Sequence, residues 1–144
     1  MKKVIDTLAA YAFTGTWKLN PAKSTFAKGK EVKELTAVAT EQGPNSVVTV
    51  KGVAAVGKAI SIKYTVPMKG GSINYTESAP PAGTTVVSKR VNANTIESTT
   101  TLNGRKVGTT RAVVSKDGKT LTMIHRGLDD KGKAVKNTEV YERQ

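Results

Sequence analysis

The sequence predicts an all-β protein, a single antiparallel up-and-down β-barrel of about 8–10 strands with a short N-terminal helix or leader. Three observations carry this. Thr, Val and Ile supply 43 of the 144 residues, and β-branched side chains suit a pleated surface better than a helix. From Phe13 onward apolar residues recur with period two. Turn residues then punctuate the chain at short, regular intervals. The length fits one domain, since two would each have too small a core.

The N-terminus opens on Met1-Lys2-Lys3 and an apolar stretch. A basic start, an apolar middle and the small-x-small pattern Ala10-Tyr11-Ala12 look like a secretory leader. Asp6 interrupts the middle, which is short. The alternative is a retained amphipathic helix with Val4, Leu8 and Tyr11 on one face, plugging the end of the β structure. The chain thus divides into residues 1–12, a leader or helix, and 13–144, the barrel.

In the first strand Phe13, Gly15, Trp17 and Leu19 share one face, with Thr14, Thr16 and Lys18 on the other. Asn20-Pro21 ends it, because proline cannot donate to a ladder. Residues 21–30 form a Lys-rich connection whose one large apolar anchor is Phe26. Further strands are expected near 31–42, 46–54, 59–67, 72–77, 84–92, 95–102, 105–115, 120–127 and 134–142. Asn103-Gly104 is the strongest hairpin signal, since a type I′ turn needs positive φ at both central positions. Lys116-Asp117-Gly118-Lys119 is a second. A flat meander of this length would leave two long edges, and closing it into a barrel removes them.

Composition excludes several classes. There is no Cys and a single His, so disulfides, thiolate chemistry and multi-His metal sites are not expected. No apolar run approaches the roughly 20 residues of a membrane-spanning helix. The net charge is +12, from 18 Lys and 5 Arg against 11 acidic residues. The lysines are dispersed, Arg is scarce and aromatics are few. This pattern predicts a solvated basic surface, not a specific nucleic-acid interface. Neither a Walker loop, nor a dinucleotide fingerprint, nor a Gly-x-Ser-x-Gly elbow is present.

Candidate functional groups follow from parity. His125 shares a face with Leu121 and Met123, the expected interior, where an imidazole can serve as a ligand contact, a general base or a haem ligand. Arg111 shares a face with Val107, Thr109 and Val113. If that face is interior, Arg111 is a buried cation needing Glu139 or an anionic ligand. If it is exterior, it is surface decoration. Arg90, on the face of Val86 and Ser88, poses the same question. Nothing places Glu97 and Glu139 together as an acid–base pair. Tyr64, Tyr75 and Tyr141 complete the polar groups expected to orient a ligand in an apolar lining.

Phe13-Thr14-Gly15-Thr16-Trp17-Lys18-Leu19 resembles the Gly-x-Trp opening strand of the calycins, the lipocalins and fatty-acid-binding proteins. Val140-Tyr141-Glu142-Arg143 resembles the closing strand of the fatty-acid-binding branch. The run from Gly15 to Ser24 is also similar to small bacterial lipocalin-like proteins, usually exported and of unassigned function. The resemblance implies a ligand-binding barrel, an exported or periplasmic location, and Trp17 and Arg143 at the barrel base. Two departures stand out. Residues 21–30 are too short for the helix pair of fatty-acid-binding proteins. Their Arg-x-Tyr carboxylate clamp reads Glu139-Val140-Tyr141 here, which argues against a fatty-acid carboxylate held in that way.

The leading expectation is a barrel that binds a small apolar or amphipathic molecule, with Tyr64, Tyr75, Arg111, His125 and Tyr141 as polar contacts; the sequence leaves the oligomeric state open, a monomer being favoured. An enzyme working through His125 or a carboxylate is one alternative. A surface-interaction protein that meets anionic partners through its lysines is the other.

Overall fold

A computed structural model describes residues 11–129 and 131–144. The leader or plug helix expected over residues 1–12 therefore lies almost wholly outside the described residues.

Among the described residues eleven strands form one antiparallel sheet. They are β1 (Gly15–Leu19), β2 (Val32–Gln42), β3 (Asn45–Ala54), β4 (Ala59–Pro67), β5 (Gly71–Ser72), β6 (Asn74–Glu77), β7 (Thr84–Asn92), β8 (Thr95–Leu102), β9 (Arg105–Val114), β10 (Thr120–Leu128) and β11 (Ala134–Arg143). The order in the sheet is β5-β7-β8-β9-β10-β11-β1-β2-β3-β4-β6. Each strand coincides closely with an expected one, save that the segment expected at 72–77 divides in two.

That division nearly closes the barrel. Gly71 and Ser72 pair with Ser88 and Val87 of β7, and the Ile73 amide donates to Val86 O. The next residues turn to β4, where Tyr75 faces Tyr64 and Asn74 faces Thr65. One short segment thus bridges the two ends of the sheet and satisfies backbone groups that an open edge would leave bare.

The meander puts its connections at two ends. The tight turns 43–44, 68–70, 93–94 and 115–119 lie at one end, and 20–31, 55–58, 78–83, 103–104 and 129–133 at the other. Asn103 and Gly104 have φ of 52° and 82°, the positive pair a two-residue hairpin turn requires. Residues 21–30 contain only a 3-10 turn, Pro21–Lys23, capped by the Asn20 side chain, which accepts from the Ala22 amide. The connection is fastened across β11 by paired Thr25 and Thr138 and by the Ala27 amide, which donates to Asn137 Oδ1. Phe26 packs on the core from here.

The core fills the tight-turn end. Tyr11, Phe13, Trp17, Val114, Leu121 and Tyr141 are all buried there. Trp17 is 1% exposed, and its indole N–H donates to Phe13 O at 2.9 Å. The Arg143 guanidinium lies 4.2 Å from the Trp17 ring centroid and donates to Thr14 O, Ala12 O and Gly118 O. A cation over an indole face is attracted by the ring quadrupole. The three carbonyls fix the cation there and draw the chain start, a turn and the last strand together. Gly15 makes room for it: with φ of 136°, any Cβ at this position would collide with Arg143 Nη1.

Candidate functional site

Above this packed end the barrel is hollow. A cavity of about 330 Å³ falls at the small end of the usual range for ligand pockets, about 300–1,000 Å³. Its wall is largely aliphatic and aromatic, with Val48, Val50, Ile62, Val86, Ile96 and Met123 among the lining. Polar groups gather on adjacent strands. A second, more open recess of about 250 Å³ meets the cavity at Thr110 and His125, and Ala27, Lys30 and Asn137 border it toward the long connection.

The polar groups are built from strand parity and register. Glu139 and Tyr141 are two apart on β11, so both point inward. On β10, Met123 pairs with Glu139, and His125, two residues on, stands beside it. On β9, Thr110 pairs directly with His125. The result is a chain of contacts across three strands. Thr110 Oγ1 lies 3.0 Å from His125 Nδ1, and His125 Nε2 lies 3.3 Å from Glu139 Oε1. The Tyr141 hydroxyl donates to the same Glu139 oxygen at 2.7 Å. A carboxylate only accepts, so Nε2 directs a proton at Glu139, and the direction of the Thr110–Nδ1 bond depends on the tautomer.

Electrostatics follow from this arrangement. Burial opposes ionisation of Glu139, but the hydrogen bond and charge of His125 and the Tyr141 hydroxyl outweigh it and hold the carboxyl below its ordinary 4.5. Burial, the Glu139 charge and its hydrogen bond push the Tyr141 hydroxyl far up. Tyr64 is raised by burial and then by neighbouring Tyr75, Tyr11 and Glu139. Tyr75 is raised by burial. Tyr11 is pushed up to about 12 by burial, against the pull of Arg90, whose guanidinium lies 5.2 Å from its ring centroid.

A group whose folded value is depressed contributes stability that is complete above its unfolded value and lost as pH falls through the folded one. Glu139 should therefore give the wild type an acid-labile component below about 4.5. Urea midpoints at pH 6 and pH 3 test it: the drop should be smaller in Glu139→Gln than in wild type, and an equal drop would refute it.

Tyr64, Tyr75, His125 and Tyr141 all line the cavity, and the Tyr64 and Tyr75 rings lean on each other with centroids 5.3 Å apart. Arg111 is a correction. It lies on the outer face, its side chain 48% exposed, in an ion pair with Glu97 of β8. Arg111 points away from the cavity because Thr110 and Ala112, its neighbours on β9, take the lining positions. Exposed pairs of this kind are worth about 0–1 kcal/mol. Arg111→Ala is accordingly expected to shift the unfolding midpoint by no more than that and to leave ligand binding unchanged. A lost ligand would return Arg111 to the site.

Among the polar lining residues, Glu139, Thr110, Thr100, Ser98, Ser46 and Tyr11 were not placed in the site by the sequence. The signal for Glu139 was available, as it shares parity with Tyr141. Ser46 is 1% exposed, and among the described residues its hydroxyl has no hydrogen-bond partner. Tyr11 sat in the expected leader, yet it packs against Phe13 with ring centroids 5.4 Å apart. Among the described residues no group of three His, Asp or Glu is close enough to hold a metal ion, and no helix is long and apolar enough to cross a membrane. Haem fits poorly, because both ring nitrogens of His125 are engaged and an axial bond would have to displace one partner.

No family model matches the chain, and no curated protein is a detectable relative. Solved structures do share the fold. Lobster apocrustacyanin A1 superposes with a TM-score of 0.51 at 11% identity, over 98% of this chain and 66% of that one. Apocrustacyanin C1 gives 0.49 at 11%, over 98% and 66%. The siderocalin Ex-FABP gives 0.44 at 12%, over 92% and 74%. The chain thus spans about two thirds of the length of the crustacyanin chains it matches. The nearly closed antiparallel barrel, with Trp17 at its packed end, has the lipocalin/calycin fold.

Proposed function

We propose that the protein binds an apolar or amphipathic small molecule inside its barrel. The observation that carries this is the cavity itself: about 330 Å³, walled mostly by apolar side chains, with a few convergent polar groups to orient an occupant. The exclusion of water from such a wall supplies the driving force, about 25 cal/mol per Å² of apolar surface removed from water. The purified protein is weighed by mass spectrometry under native and denaturing conditions, and a neutral solvatochromic dye such as Nile red is titrated. A mass lost on denaturation, or saturable dye binding, is the expected result. Neither signal, in a folded sample, would sink the reading.

One observation favours a second reading. Thr110, His125 and Glu139 form a hydroxyl–imidazole–carboxylate chain, the arrangement that activates a hydroxyl in acid–base catalysis. An enzyme using it would lose turnover in His125→Ala, whereas a pure binder would keep its ligand.

A further inference from the structure

We infer that the ligand is an organic cation, a protonated amine on an apolar body, whose ammonium pairs with Glu139. This rests on the reading of the barrel as a small-molecule binder and names the class of molecule.

The wall of the cavity carries the argument. The chain has 23 Lys and Arg residues and 11 acidic ones, yet among the described residues no Lys or Arg lines the cavity and Glu139 does. The charge inside is thus opposite to the charge outside. The Glu139 side chain is only 14% exposed. Its Oε1 takes both the Tyr141 hydroxyl and the His125 Nε2–H, while Oε2 has no hydrogen bond among the described residues. Ser46 Oγ is the one fully enclosed side-chain polar atom without a partner among those residues, so Oε2 is not sealed in the wall.

His125 meets Oε1 alone, and no Lys or Arg pairs with Oε2 among the described residues. A buried carboxylate oxygen without a hydrogen bond is costly, and a ligand cation that donates to it lowers that cost. An ammonium brings three donors, which suits a lone carboxylate oxygen. The lining adds the rings of Tyr64 and Tyr75, a residue type whose ring face attracts cations. A carboxylate ligand would meet Glu139 as a like charge. The lysines outside oppose the approach of a cation only weakly, since exposed charges beyond about 8 Å are screened at physiological salt.

The test uses three probes of one shape: octylammonium, 1-octanol and octanoate, each titrated by calorimetry at pH 7.5 in physiological salt. Octylammonium should bind about tenfold or more tighter than octanol, the order expected of a hydrogen bond to a charged group. Octanoate should bind weakest. Glu139→Gln, shown to be folded by far-UV circular dichroism, should bring the ammonium-to-alcohol ratio to about one. The wild-type ratio needs no variant, so the inference stays testable if Glu139→Gln does not fold. Octanoate binding as tightly as octylammonium, or a ratio unmoved in Glu139→Gln, overturns it. If all three probes fail while Nile red still binds, the cation falls and the binding cavity stands. If Nile red also fails, the binding reading falls with it.

Discussion

Trp17→Ala is expected to destabilise the protein by about 3–5 kcal/mol, a large part of the roughly 5–15 kcal/mol that holds a typical domain together. The indole is the most buried large side chain, at 1% exposure, and lies at the centre of the packed end. Truncation removes its apolar area and opens a void that strands on several sides cannot all fill. It also strands two partners: Phe13 O loses the indole N–H, and the Arg143 guanidinium loses the ring beneath it. Trp17 is the sole tryptophan, so unfolding in urea is followed by far-UV circular dichroism. Trp17→Phe keeps a ring and should fall between the two. A shift below about 1 kcal/mol in Trp17→Ala would mean that the end repacks, against the close-packed behaviour of protein interiors.

Gly52→Ala should be the second most damaging change, although it adds a single methyl. Gly52 pairs with Leu35 of β2, next to the register shift between Val32 and Glu34. A Cβ on Gly52 would collide with Glu34 O, and it would lie 2.8 Å from Leu35 Cα and 2.9 Å from Glu34 C. These are backbone atoms, which cannot swing aside as a side chain can. Overpacking commonly costs about 1–3 kcal/mol, and occasionally more. Here relief requires parting β2 from β3, and Leu35 of the core sits at that point. Thermal unfolding reads the effect. A midpoint equal to that of wild type would show that the ladder yields freely there.

The strands were legible because each is a run of period two bounded by turn chemistry that does not depend on distant contacts. Asn103-Gly104 specifies its own hairpin, and Ile60, Ile62, Tyr64 and Val66 mark one face by themselves. The break inside residues 71–77 was not legible, as it exists only because β4 and β7 compete for the same segment. In the site, the inward placement of His125, Tyr64 and Tyr141 followed from parity along single strands. Glu139 was open to the same logic, yet it entered only as a partner for Arg111, as a carboxylate that nothing paired with Glu97, and as a departure from the Arg-x-Tyr clamp. Thr110 was beyond reach, since its place beside His125 depends on the β9–β10 register.

The sequence by itself determined the strand pattern, the hairpin turns and the alternation of faces, because these are properties of local backbone sterics and nearest neighbours. It left open the inner face of strands with apolar residues on both sides. On β9 the choice was balanced: Val107 and Val113 lie on one side, Ala112 and Val114 on the other. Closure of the sheet broke that tie. It sent Arg111 outward to Glu97 and brought Thr110 inward to His125. Period-two alternation defines two faces but not their sign, and the sign is set by the sum of burial over all strands of the barrel at once.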